Sequence, residues 1–137
     1  MERRDLIKEE IEQFGRVLGM IIADFIGLKA RGEVTQGIEI SKKELKEELN
    51  IDIDKLIDLS NNELIKYFKD HKLTAEHIEL IADYLFKITE SYTSAGKQET
   101  KKYLEKVLYL YDMADVFSQT ISFDRINKKS RAENALQ

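Results

Sequence analysis

Asp52, Asp54 and Asp58 form the densest acidic patch in the sequence and are the first residues that could carry chemistry. A calcium loop needs oxygen ligands at alternating positions, a central glycine and a glutamate at the twelfth position. Glu63 stands twelfth counted from Asp52, but the central glycine is missing. Capping of helix starts by Asp52 or Asp54 explains these residues more simply. We therefore predict no metal site here.

The two histidines of the chain, His71 and His77, stand six residues apart, with acidic residues nearby. A helical zinc pair needs an i, i+4 spacing, which these two do not have. We interpret both as surface or helix-capping residues and predict no cofactor. The sequence also lacks a glycine-rich phosphate loop, a G-x-S-x-G motif and a cysteine nucleophile. These features favour binding over catalysis and predict no catalytic residue.

The six tyrosines all lie after residue 66. Tyr84, Tyr109 and Tyr111 fall beside the strictest apolar stripes of their predicted helices. Packing in the core is one interpretation. The other is that they line a groove for a protein or peptide partner, because tyrosine combines a rigid apolar ring with a polar tip.

Small residues recur every four positions in the first predicted helix, at Gly15, Gly19, Ala23 and Gly27. Glycine inside a helix costs about 0.5–1 kcal/mol relative to alanine, so this ridge calls for a compensating contact. Close packing against another helix of the same chain is one explanation. A symmetric homodimer contact through the same ridge is the alternative.

Charge and hydropathy restrict the partners and the location. The net charge of −4 argues against nucleic-acid binding, and the basic residues Arg125, Lys128, Lys129 and Arg131 are interpreted as part of a solvated terminal helix. The most apolar stretch, 17–28, carries Asp24 and is shorter than the roughly 20 residues that span a bilayer. A chain without cysteine suits a reduced compartment, so we predict a cytoplasmic protein with no membrane contact.

Apolar residues recur at helical spacing through most of the chain. The spacing predicts helices over 5–30, 33–49 and 55–59, further helices after Ser60, after Thr74 and from about 98, and a short helix from Ser122. No segment alternates with period two as a strand would. The prediction is an all-α domain over 1–127, built from antiparallel helical hairpins that turn at Gly32 and Gly96, with a frayed or disordered tail over 128–137. The hairpins form either a repeat array or an irregular helical bundle.

The segment 32–40, GEVTQGIEI, resembles the inter-helix turn and second helix of a tetratricopeptide repeat. The small residue that lets the helices approach is Gly37. Tyr92 and Gly96 resemble the tyrosine and the turn glycine of the same repeat, and the segment 103–108 resembles the end of its second helix. Gly32 and Gly96 are 64 residues apart, close to two repeats of 34. Lys101 departs from the pattern, since it stands where the second hairpin needs a small residue.

The chain is thus similar to degenerate tetratricopeptide-like repeats of small bacterial helical proteins. Repeats of this family usually bind peptide segments in a concave face. The resemblance therefore implies a protein–protein interaction or assembly module, with a protein or peptide partner or a second copy of the chain. The alternative is a helical-bundle protein that binds a metal or small ligand, with enzymatic activity.

Overall fold

A computed structural model describes residues 3–91 and 97–137, and in these two ranges it contains seven helices and no strand. The all-α prediction is confirmed. The helices are α1 (Arg3–Ala30), α2 (Val34–Leu49), α3 (Ile53–Asp58), α4 (Asn61–Asp70), α5 (Ala75–Thr89), α6 (Lys97–Ser118) and α7 (Phe123–Leu136).

Side-chain caps fix the starts of three helices. Ser60 accepts a hydrogen bond from the Glu63 N–H at the start of α4, and Glu63 accepts one from the Ser60 N–H. Thr74 and His77 form the same reciprocal capping box at the start of α5. Ser122 caps α7. These caps satisfy backbone N–H groups that have no partner within the helix, and the sequence predicts all three positions.

The chain divides into two compact units, 1–56 and 57–137, where the sequence analysis treats 1–127 as one domain. In the first unit α1 packs against α2. The turn between them contains Gly32, with φ +80°, a conformation that suits glycine. Because only three residues join the two helices, they run antiparallel.

Gly37 lies where α2 closely approaches α1. A Cβ atom built on it would lie 3.2 Å from Leu28 Cβ and 3.2 Å from Phe25 Cδ1. Leu18, Ile21 and Phe25 of α1 are buried. A larger residue at position 37 would therefore overlap α1.

The apolar stripe of α1 is longer than its partner helix. With 28 residues α1 is about 42 Å long, while the 16 residues of α2 reach about 24 Å. An antiparallel α2 that starts at residue 34 therefore ends near the middle of α1. This explains why Leu6 and Ile7 are half-exposed although they continue the stripe.

In the second unit α6 packs against both α5 and α7. The core of this unit is apolar and includes Leu64 and Phe68 of α4, Ile78, Ile81 and Leu85 of α5, and Leu104, Val107 and Leu110 of α6. The hairpin turn expected at Gly96, together with Tyr92, lies outside the described residues.

The C-terminal segment differs from the expected frayed tail. Helix α7 continues to Leu136, and Ala132 is completely buried. Its basic side chains form ion pairs with carboxylates on α5 and α6, and these pairs hold the segment in a helical conformation.

Candidate functional site

Arg125 is the most enclosed charged side chain of α7, with 7% of its surface exposed. Its Nε donates a hydrogen bond of 2.6 Å to Asp115 on α6, and its Nη1 donates one of 3.0 Å to Glu79 on α5. Its Nη2 donates to Ser118 Oγ and to the Thr120 carbonyl, both at 3.1 Å. A guanidinium with donors in several directions can hold all these acceptors at once, so Arg125 links three elements.

Lys128 and Lys129 extend the same face of α7. Lys128 Nζ lies 2.6 Å from Glu79 and 3.1 Å from Asp83. Lys129 Nζ lies 2.9 Å from Asp112 and 2.5 Å from Asp115. We call the four carboxylates Glu79, Asp83, Asp112 and Asp115 the acidic face; three cations of α7 cover it.

These charges perturb one another's protonation. Burial alone would raise the pKa of Asp115, but hydrogen bonds from Lys129 and Arg125 hold it below its usual value. Burial alone would lower the pKa of Lys128, but its pairs with Glu79 and Asp83 raise it. Both shifts favour the charged forms, as opposite charges at short distance do. The acidic face and α7 therefore stabilise each other as ions near neutral pH.

Apolar burial contributes little to the docking of α7. Arg125 and Ala132 are its two buried residues among those described. Ion pairs therefore position α7. Their directional hydrogen bonds fix the orientation of the helix more than they add to the stability of the fold. The sequence analysis interprets this basic end as solvated, and the structure corrects that interpretation.

The three predicted partner-binding tyrosines do not form a common surface. Tyr84 and Tyr111 are buried, and the Tyr111 hydroxyl donates a 2.5 Å hydrogen bond to Asp83. Tyr109 is half-buried, and its hydroxyl donates to the Asn61 carbonyl at 3.3 Å. Tyr84 and Tyr111 thus follow the packing interpretation, and the structure does not bring the three tyrosines together in a groove.

An exposed group of large apolar side chains surrounds the turn between α6 and α7. We call this group the apolar corner: Val116 on α6, Ile121 in the turn, and Phe123 and Ile126 on α7. Their exposed fractions are 71%, 77%, 86% and 42%. Phe123, Ile121 and Val116 are the three most exposed large apolar side chains of the described residues. The four lie within eleven residues of the chain. Single exposed apolar side chains are ordinary, whereas contiguous ones are typical of interaction surfaces.

The small-residue ridge of α1 faces away from the α1–α2 contact. Outside the neighbouring residues of α1 itself, a Cβ atom on Gly19 or Gly27 would find no atom of the described chain within 4 Å. Ala23 is exposed, and Gly15 is half-exposed. The close intramolecular packing expected at Gly15, Gly19, Ala23 and Gly27 is therefore not found at Gly19, Ala23 or Gly27, because the apolar stripe that packs against α2 lies on another side of the helix. The homodimer alternative stays a prediction.

A polar groove of about 600 Å³ lies between α6 and the α3–α4 junction. Lys102 pairs with Asp58, and Lys106 donates to the Leu59 carbonyl. Tyr109 also spans the groove to Asn61. Three side chains of α6 thus form hydrogen bonds across the groove, Lys102 to the Asp58 carboxylate and Lys106 and Tyr109 to backbone carbonyls. These bonds join α6 to the α3–α4 junction.

The predicted metal candidates have structural roles. Asp52 caps α3 by accepting a hydrogen bond from the Lys55 N–H at 3.2 Å, and Asp54 pairs with Lys42 at 2.9 Å. His77 belongs to the capping box of α5, and His71 is the C-cap residue of α4. Within residues 3–91 and 97–137, no group of three or more histidine, aspartate or glutamate side chains could hold a metal ion.

No described helix is both long enough and apolar enough to cross a membrane.

Comparison with protein-family models, curated proteins and solved structures found no match for this chain. Sequence reasoning missed the acidic face, although a signal for it was present. Glu79 and Asp83 are spaced i, i+4 and Asp112 and Asp115 i, i+3, so each pair shares one face of its helix.

Proposed function

We propose that this chain is a protein-interaction module that binds its partner through the apolar corner. The observation that carries the proposal is the exposure of Phe123, which is 86% exposed on a helix held in place by Arg125. An aromatic side chain on a rigid element loses little conformational freedom on binding and fills a pocket in the partner. Binding rather than catalysis is therefore the function that this geometry supports best.

The tetratricopeptide-like resemblance is part of the proposal. The glycine turn at Gly32 and the close helix approach at Gly37 support it for the first unit. The apolar corner lies at the α6–α7 turn, outside the segments that carry the resemblance. We place the protein in the cytoplasm, which the cysteine-free composition supports.

The test compares proteins that co-purify with three forms of the chain from the source cell. The corner variant carries Val116→Ser and Phe123→Ser. A matched control carries Leu6→Ser and Ile7→Ser, which removes two half-exposed apolar side chains from α1. All four positions are exposed, so we expect each variant to keep the wild-type circular dichroism spectrum and melting temperature.

We expect the wild type and the control to retain the same partner and the corner variant to lose it. A purified partner should bind the corner variant at least about tenfold more weakly, as expected when one or two central contact residues are removed. Equal retention by the corner variant and the wild type would contradict the proposal.

A further inference from the structure

We propose that the partner at the apolar corner is a second copy of this chain, and that two copies exchange helix α7 across a two-fold axis. This inference rests on the proposed function, because it names the partner of the same surface. In the exchanged dimer, α7 of each copy covers the acidic face of the other.

Charge complementarity identifies α7 as the occupant of the acidic face. The four carboxylates of this face are met by Arg125, Lys128 and Lys129 at distances of 2.5 to 3.1 Å. An identical helix from a second copy would make identical pairs. Exchange therefore replaces these contacts one for one and loses none of them, which is why swapped elements are a low-cost route to dimers.

The connection between α6 and α7 is short and contains an unfavourable backbone conformation. Four residues, 119–122, join the helices, and Gln119 has φ +58°. This left-handed conformation is unfavourable for a residue with a Cβ atom. Opening the turn into a continuous helix would remove this cost. It would also give up the cap by Ser122 and the Arg125 contacts to Ser118 and Thr120, so the two forms compete.

The apolar corner acquires a partner only in the open form. In a continuous helix Val116, Phe123 and Ile126 stand at positions i, i+7 and i+10, which share one face. Two such helices meeting at a two-fold axis would pack these faces against each other. The closed chain leaves the same side chains exposed to water, and the exchanged dimer buries them.

Charge reversal provides the test, and it requires two variants. The acidic-face variant carries Asp83→Lys and Asp112→Lys, and the α7 variant carries Lys128→Glu and Lys129→Glu. Each variant alone places like charges where α7 should dock. In an equimolar mixture, α7 of each copy is complementary only to the acidic face of the other.

We expect each variant alone to be monomeric and the mixture to form a heterodimer of twice 16.0 kDa, measured by light scattering and native mass spectrometry. A chain with all four substitutions is the folding control, since it restores complementarity within one copy. If that chain folds and the mixture stays monomeric, exchange is ruled out. If it does not fold, the single pair Asp112→Lys and Lys129→Glu replaces the double set, because Asp112 is the most exposed of the four carboxylates.

A second pair of variants tests exchange at the turn without altering any charge. Gln119→Gly relieves the left-handed backbone and should shift the equilibrium toward monomer, whereas Gln119→Ala favours a continuous helix and should shift it toward dimer. Opposite shifts across a dilution series support exchange, and equal dimer fractions contradict it.

The two proposals can fail separately. If the corner variant loses the partner but the mixture forms no heterodimer, exchange is wrong and the proposed function still holds. A partner unaffected by the corner substitutions would overturn both proposals, whatever the mixing shows, because the exchange names the partner of the apolar corner.

Discussion

Arg125 illustrates how one buried cation can specify the position of a helix. Its guanidinium touches α5, α6 and the turn that precedes α7. Removing its carboxylate partners would leave a desolvated charge without compensation, and such losses usually exceed the value of the pair itself. The type of residue 125 is visible in the sequence, but its burial is not, because burial depends on which acidic residues the fold brings to it.

Gly37 provides a prediction at the same scale. Replacing Gly37 with leucine should lower the free energy of unfolding by about 1–3 kcal/mol, because the new side chain overlaps Leu28 and Phe25. Gly27→Leu is the matched control, since it adds the same side chain to α1 where no described atom lies within 4 Å. Urea titration followed by circular dichroism measures both. Equal losses for the two variants would show that the close approach at Gly37 does not limit stability.

At the scale of the elements, caps and periodicity made most of the helices predictable. Ser60 with Glu63 and Thr74 with His77 mark helix starts within the sequence itself. Helix α7 was harder to predict, because only Ala132 and Arg125 are buried in it and it has no apolar stripe facing a core. Its order depends on carboxylates that are 10 to 49 residues away in the chain.

The ion pairs of α7 predict how stability depends on pH. The pKa of Asp115 is lower in the folded chain than its usual value, so Asp115 stabilises the fold above its usual pKa. This stabilisation is lost as the pH falls below about 4. The pKa of Lys128 is raised, so its contribution is present below about pH 10.4 and is lost at higher pH. The docking of α7 is therefore strongest between these limits.

Thermal melts of the wild type and Asp115→Asn across this pH range measure the effect. At pH 7 we expect Asp115→Asn to be less stable by about 1–3 kcal/mol, because Arg125 and Lys129 lose a charged acceptor. The variant should then lose less stability than the wild type on acidification. Asp70→Asn, an exposed position on α4, is the control and should follow the wild-type curve. A variant as acid-sensitive as the wild type would refute this role for Asp115.

At the scale of the whole molecule, the fold class can be predicted from the sequence, but the exposure of the apolar corner cannot. Helical spacing of apolar residues predicts which segments form helices, but it treats every apolar residue as a core candidate. Ile121 is apolar, for example, yet it lies in the turn after α6 and is 77% exposed. Tyr84 and Tyr111 were candidates for a surface and are buried. Which side chains remain exposed depends on where each helix ends, and the turn at residues 119–122 decides this for the apolar corner.

Site-specific photocrosslinking tests the central claim, that the apolar corner is a protein-binding surface. A photoreactive phenylalanine analogue replaces Phe123, and in a second form it replaces Glu105, an exposed residue of the polar groove on α6. Each form is irradiated in the source cell, and the adducts are identified by mass spectrometry. We predict one dominant protein adduct at position 123 that is absent at position 105. No adduct at position 123, or the same set of adducts at both positions, would contradict the account.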